Sequence, residues 1–307
     1  FRIPKGNHQG SDFVVVEADG GDTDMADGVA AGKAIEMLRK RAAGKETFFL
    51  AVGFVRPHVP LVAPRDAFNG YRAEDMRLPE QKKGDLADIP NAAKGNTNQR
   101  KYKLSVENQK KVLRGYYASV SYMDRQVGRV LDELDKLKLR RNTIIVFMSD
   151  HGYHLGEHTM WQKMSLMEES IRVPLIVSVP GQKSVGKKCD RFVELIDVYA
   201  TLAEAAGLKT PPILQGRSFR KLLDDPKAAG GREDALVQCG GSFCLRTQKW
   251  AYMLYRSKKM KGEAAMLYDM EADPKQYVNL AGNPKYADVE KQLRKRLDAR
   301  VAEVRKK

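Results

Sequence analysis

Three of the chain's five histidines fall in one ten-residue stretch, Ser149-Asp150-His151-Gly152-Tyr153-His154-Leu155-Gly156-Glu157-His158, and Lys163 follows shortly after. A carboxylate and an imidazole side by side, with an ammonium a few residues on, can hold a divalent cation and an anionic substrate together. The blander reading is a polar turn that caps a strand and carries solvated histidines. A second candidate is His58, set between prolines in Arg56-Pro57-His58-Val59-Pro60. Imidazole as a side-chain type exchanges protons near neutral pH and suits general acid work. A proline-flanked histidine with purely structural duty is the alternative.

These residues need elements to place them. Residues 143–148 form an apolar, β-branched run of the length of a buried strand. Asp150 and His151 are therefore expected just beyond its carboxyl end, the rim where open α/β sheets bind ligands. Residues 22–41 predict a helix with Asp22 or Thr23 as N-cap, Ala31, Ile35 and Leu38 on one face, and Gly44 at its stop. Residues 47–54 predict a buried strand that runs into the His58 loop, where two prolines exclude regular structure. Residues 80–102 are polar and aperiodic, the pattern of a lid or a mobile loop.

From 106 to 139 the apolar residues Val112, Tyr116, Val120, Met123, Val127, Val130, Leu134 and Leu137 recur at helical spacing. A strand at 174–179 and a helix at 197–206 stopped by Gly207 follow. Beyond a linker near 224–234, short strand candidates at 235–237, 243–247, 250–255 and 266–269 precede a basic helix. The order strand, helix, strand predicts an α/β fold whose mixed, largely parallel sheet is flanked by helices over residues 1–232. Residues 233–307 are expected to form a small antiparallel sheet with one helix.

With 307 residues the chain is long enough for a large core. No run approaches the ~18 apolar residues of a membrane helix, and no signal-peptide pattern is visible. The first residue is Phe, so the sequence reads as processed or truncated rather than as a bare translation start. The net charge of +15 favours polyanionic partners. No helix-turn-helix, zinc-finger or aromatic RNA-binding signature is present, so nucleic acid is not the expected partner. A sulfated polysaccharide suits the same field. Cys189, Cys239 and Cys244 are too few and too odd for a disulfide framework and lack the spacing of a zinc site. Cys239 and Cys244 either close a small loop or stand as free thiols in a hairpin.

The segment from Ser149 to His158 with Lys163 resembles the sulfatase family of the alkaline-phosphatase-like superfamily, and especially its iduronate-2-sulfatase branch. Pro57-His58-Val59-Pro60 is similar to that branch's Pro-His-x-Pro turn. Residues 117–124 and 197–202 are similar to family helices, and residues 267–274 to its C-terminal signature. The resemblance covers nearly the whole chain in order. It implies a hydrolase of sulfuric esters on sulfated saccharides, with Ca²⁺ held in part by Asp150 and with His151 as a metal ligand or a hydrogen-bond partner of the sulfate. It places Lys163 on the sulfate or its bridging oxygen and makes His58 the acid for the departing alkoxide. His154 and His158 are expected behind the site or facing solvent, Glu157 as a loop-stabilising carboxylate, and Arg56 either against a substrate carboxylate or merely exposed.

The family's C/S-x-P-x-R motif, whose first residue becomes formylglycine, is absent, and Ser178-Val179-Pro180-Gly181-Gln182 lacks its arginine. The paired N-terminal aspartates of the calcium site are absent too. These residues therefore resemble the carboxyl-terminal portion of a sulfatase, expected to be inactive alone and, from the family, extracytoplasmic. A non-catalytic remnant that binds sulfated glycan and a related phosphodiesterase are the competing readings.

Overall fold

The computed structural model describes residues 13–44, 46–94, 104–256 and 262–305. The chain divides into two compact units, one of residues 1–79 with 99–143 and the other of residues 80–98 with 144–307.

In the first unit, strands β1 (Val15–Ala18) and β2 (Leu61–Pro64) pair in parallel, Val15 opposite Leu61, against helices α1 (Ala26–Ala42) and α2 (Val106–Lys136). Gly115 lets α2 close on β1, because a Cβ there would stand 2.6 Å from the Val15 side chain. The buried face of α2 is Val112, Leu113, Gly115, Ala118, Ser119, Tyr122, Gln126, Glu133 and Leu134. Tyr116, Val120, Met123, Val127, Val130 and Leu137, expected on the core face, are only half-buried. The inner stripe mixes the small residues Gly115, Ala118 and Ser119 with polar ones, Gln126 bonded to Arg129 and Glu133 to Arg39, that an apolar pattern does not mark. The Tyr122 hydroxyl accepts the Gly28 N–H at 2.9 Å and donates to the Asp22 carbonyl at 3.0 Å, tying α2 to the start of α1.

Neither Asp22 nor Thr23 caps α1. Both lie in a 3₁₀ turn, Asp22–Asp24, and Met25 is the N-cap. The Asp22 carboxylate instead pairs with Arg125 at 2.5 Å. The expected strand at 47–54 has no ladder partner among the described residues, and Phe49 is 87% exposed. An apolar run permits a strand, but a neighbouring edge makes one, and the ladder of this unit joins β1 and β2.

In the second unit, β3 (Ile145–Met148) pairs antiparallel with β6 (Leu175–Ser178), Val146 opposite Val177. With the parallel β1–β2 pair, the observed pairing is mixed. One face of this ribbon packs Val146, Leu175 and Val177 against Val198, Phe219 and Leu222. Helix α3 (Asp197–Ala205) supplies Val198. The strand expected at 143–148 exists but is not fully buried, and Ile176 across from Phe147 is 63% exposed. The reading of 224–234 as a plain linker also yields, since buried Arg232 forks onto the Asp197 carboxylate at 2.6 and 2.5 Å.

The C-terminal antiparallel sheet runs β7 (Asp234–Cys239), β8 (Ser242–Thr247), β9 (Trp250–Tyr255) and β10 (Ala264–Asp269) as a meander. Phe243, Leu245, Tyr252, Leu254 and Leu267 receive Leu293, Leu297 and Val301 of α4 (Ala287–Arg305) on one face. Cys244, Met253, Met266 and Tyr268 pack with Leu166, Met167, Ile89 and Ala93 on the other. The segment expected as a lid is thus anchored over residues 80–94, and residues 95–102 lie outside the described ones. Its polar composition hides the buried anchors Asp85, Ile89 and Ala93. All three cysteines are free thiols, and burial pushes Cys244 up to about 12. No helix among the described residues is long and apolar enough to cross a membrane.

Candidate functional site

The loop after β3 presents Asp150 with its side chain 85% exposed, while the His151 side chain is mostly covered. The His151 Nδ1 lies 2.7 Å from the Gly152 carbonyl and so carries the hydrogen. This leaves the Nε2 lone pair free, 3.6 Å from Asp150 Oδ2. Gly152 presses against the helical turn Glu168–Ile171: its N–H donates to the Ser170 carbonyl at 2.8 Å, and a Cβ there would lie 2.0 Å from the Glu169 carbonyl oxygen. Only glycine fits that approach.

The chain then enters β4 (His154–Leu155), turns, and returns as β5 (Trp161–Gln162) with His154 opposite Gln162. The ladder ends at the His154–Gln162 pair, and Lys163 follows directly after β5. Lys163 is half-buried, and its ammonium has no carboxylate partner among the described residues. Asp150 and His151 stand in the loop after β3 and Lys163 directly after β5, all three in the second unit.

The hairpin turn is strained. His158, Thr159 and Gln162 have φ of 53°, 54° and 73°, in the left-handed region that costs a non-glycine residue ~1–2 kcal/mol. Buried groups hold it. Met160 and Trp161 are fully buried, the Met160 N–H donates to the Glu157 carbonyl, and Glu157 Oε2 accepts the Leu155 N–H at 2.7 Å. Glu157 is thus the expected loop-stabilising carboxylate. His154 and His158 do not face solvent; both are buried. His158 Nδ1 sits 3.0 Å from Asp85 Oδ2. Burial pushes its pKa down, but the Asp85 hydrogen bond and charge, with Glu169 and Glu157 behind, raise it above the ordinary imidazole value. His154 goes the other way, driven by burial and then by the His158 charge down to about 3. Its Nε2 meets Ser165 Oγ at 2.7 Å while Nδ1 has no partner. Burial holds the Glu169 carboxyl above the usual carboxylate range, and its Oε2 is unpartnered.

In the first unit, the His58 loop hangs from Asp27. This buried carboxylate accepts the Val55 and Arg56 N–H groups at 2.8 and 2.9 Å. The Arg56–Pro57 and Val59–Pro60 peptide bonds are cis. His58 Nδ1 meets the Val59 carbonyl at 2.7 Å, which leaves Nε2 as the ring nitrogen able to pass a proton outward. The Arg56 guanidinium donates to the His58 and Pro60 carbonyls, so it braces the loop rather than standing free for a substrate carboxylate. Sequence reasoning missed Asp27, Asp85 and Glu169. Their partners are distant in sequence, and only the position of Asp27 in the first turn of a helix gave any signal.

No cluster of three or more metal-ligating side chains occurs among the described residues. The exposed Asp150 carboxylate is a hard oxygen donor that fits calcium, and His151 Nε2 points beside it. Calcium takes 6–8 oxygens, so this pair fits as part of a site that draws further ligands from elsewhere.

An α/β chain that ends in a four-stranded antiparallel meander with one helix defines the class of fold. More narrowly, the chain belongs to the sulfatase family. The sulfatase domain profile matches residues 4–208, and that of the N-sulphoglucosamine sulphohydrolase C-terminal region matches residues 156–303. A sulfatase of Formosa agariphila is 32% identical over 272 residues, covering 86% of this chain and 52% of that protein. The human iduronate 2-sulfatase is 32% identical over 259 residues, covering 67% of this chain and 47% of the other. The chain spans about half the length of these curated relatives. Among solved structures, one in complex with its substrate D-glucosamine-2-N,6-O-disulfate superposes with a TM-score of 0.77 at 22% identity, covering 92% of this chain and 70% of that one. The fold is that of the alkaline-phosphatase-like sulfatases.

Proposed function

We propose that the chain is the carboxyl-terminal half of an extracytoplasmic, iduronate-2-sulfatase-like hydrolase of sulfuric esters on sulfated saccharides. What supports this reading is a chain of the sulfatase family that carries Asp150 and His151 in the loop after β3 and, directly after β5, a half-buried Lys163 with no carboxylate partner among the described residues. Asp150 and His151 are assigned to a calcium site completed by other ligands. When bound, the ion supplies positive charge against the sulfate oxygens. Lys163 stabilises the negative charge that grows as the S–O bond breaks, and His58 gives its Nε2 proton to the departing alkoxide. No C/S-x-P-x-R motif occurs in the 307 residues, and the nucleophile is assigned to a region outside this chain.

The test is titration calorimetry of the chain with a sulfated uronate disaccharide and with its desulfated counterpart. Binding that requires the sulfate and weakens in Lys163→Ala supports the reading. Equal affinity for both sugars, or no effect of the substitution, overturns it.

A further inference from the structure

We infer that the buried His158–Asp85 pair is a positioning clamp for Lys163: it locks the strained turn between β4 and β5 and so fixes the direction in which the ammonium leaves β5. The inference rests on the role proposed for Lys163. The turn from Gly156 to Gln162 contains three left-handed non-glycine residues, one of them the β-branched Thr159. Such a conformation persists only where surrounding groups over-determine it. Bonds tie this turn to the 80–94 segment: among them, the Gln81 amide donates to the Gly156 carbonyl at 2.8 Å, and His158 meets Asp85 at 3.0 Å. The His158–Asp85 contact carries charge, and it sits at the first of the strained residues. Gln162, the last of them, immediately precedes Lys163. Loosening the clamp therefore lets the turn relax and the ammonium lose its fixed course.

Charged and titratable groups face His158 from every side. Asp85 comes from the 80–94 segment, Glu157 from the turn itself, Glu169 from the helical turn behind, and His154 from β4 with its ring centroid 6.4 Å away. The Tyr277 ring lies edge-on at 5.6 Å, with Lys82 and Lys275 over it. The carboxylates outnumber the one neighbouring imidazole, which is itself kept neutral. The protonated, clamping form of His158 is therefore complete below the ordinary imidazole pKa and is lost as pH rises through the raised value.

The experiment compares the chain with Asp85→Asn and His158→Gln, using hydrogen exchange over residues 154–164 and the acylation rate of the Lys163 ε-amine, with Lys249 as an internal control. Loss of the pair is expected to speed exchange in that segment at least roughly tenfold. It should also shift Lys163 reactivity severalfold and leave Lys249 unchanged. Should either variant fail to fold, the unmodified chain decides. Its intrinsic-rate-corrected protection over 154–164 must fall with the midpoint at which the His158 ring titrates by NMR. Protection and Lys163 reactivity that ignore both the substitutions and that titration overturn the clamp. A sulfated-disaccharide arm separates this from the functional reading: Asp85→Asn should weaken binding when Lys163 is present and not in Lys163→Ala. If Lys163→Ala itself leaves binding unchanged, the sulfate role falls while the exchange results still decide the clamp.

Discussion

Lys163 and His154 are opposite uses of a basic side chain on one hairpin. The first is half-buried and has no carboxylate partner among the described residues; the second is buried and held neutral by its surroundings. In the complete enzyme, Lys163→Ala is expected to lower kcat by about a hundredfold to a thousandfold, the ~2.7–4 kcal/mol typical of losing one preorganised donor. His154→Ala should cost turnover an order of magnitude at most, measured on the same substrate. His58 makes a different demand. Its free Nε2 matters most when the leaving alkoxide is a poor one, so His58→Ala should slow sugar sulfates far more than activated aryl sulfates. Equal slowing of both substrate types would remove His58 from the acid role. Lys163, His154 and His58 could be singled out in the sequence because their types and spacing are local. Asp27, whose carboxylate holds the Val55 and Arg56 amides, was not, because its partners lie 28 and 29 residues away.

The elements were legible wherever an apolar pattern and a partner coincide. The meander β7–β10 and helices α1, α2 and α4 appeared close to their expected ranges because each buries its stripe against a neighbour within its unit. The strand expected at 47–54 did not form, and β1 went unseen, because pairing depends on an edge that pattern alone cannot locate. Two element-scale outcomes follow from the β4 surroundings. Gly152→Ala would drive a methyl to 2.0 Å from the Glu169 carbonyl oxygen and should destabilise the chain by at least ~1–3 kcal/mol in urea unfolding. The second outcome concerns acid. His154 has a folded pKa of about 3 against ~6.5 for a free imidazole, so the unfolded state binds the extra proton first. Its contribution to stability is whole above pH ~6.5 and is lost as pH falls towards 3. The melting temperature should decline across that window, and less steeply in His154→Gln; parallel declines would show that another group sets the acid limb.

At the scale of the whole molecule, the +15 charge and the local site make separable contributions to binding a sulfated polysaccharide. The long-range part must respond to salt: raising ionic strength from ~0.01 M to ~1 M shortens the screening length from ~30 Å to ~3 Å. A short-range contact between the half-buried Lys163 and one sulfate is screened less. Heparin-like chains should therefore lose most of their affinity over that range, while the difference between the chain and Lys163→Ala, read on a sulfated disaccharide, should survive it. Turnover answers to neither term. A cation beside a sulfate ester stabilises charge but opens no bond, because the route to hydrolysis needs a nucleophile and the formylglycine motif is not among these residues. The purified chain is accordingly expected to bind sulfated saccharide and release no sulfate, with or without added calcium. Sulfate release that follows the chain through purification and vanishes in Asp150→Ala would mean that one of its own side chains attacks the ester, and the division of labour proposed for the two halves of the enzyme would be wrong.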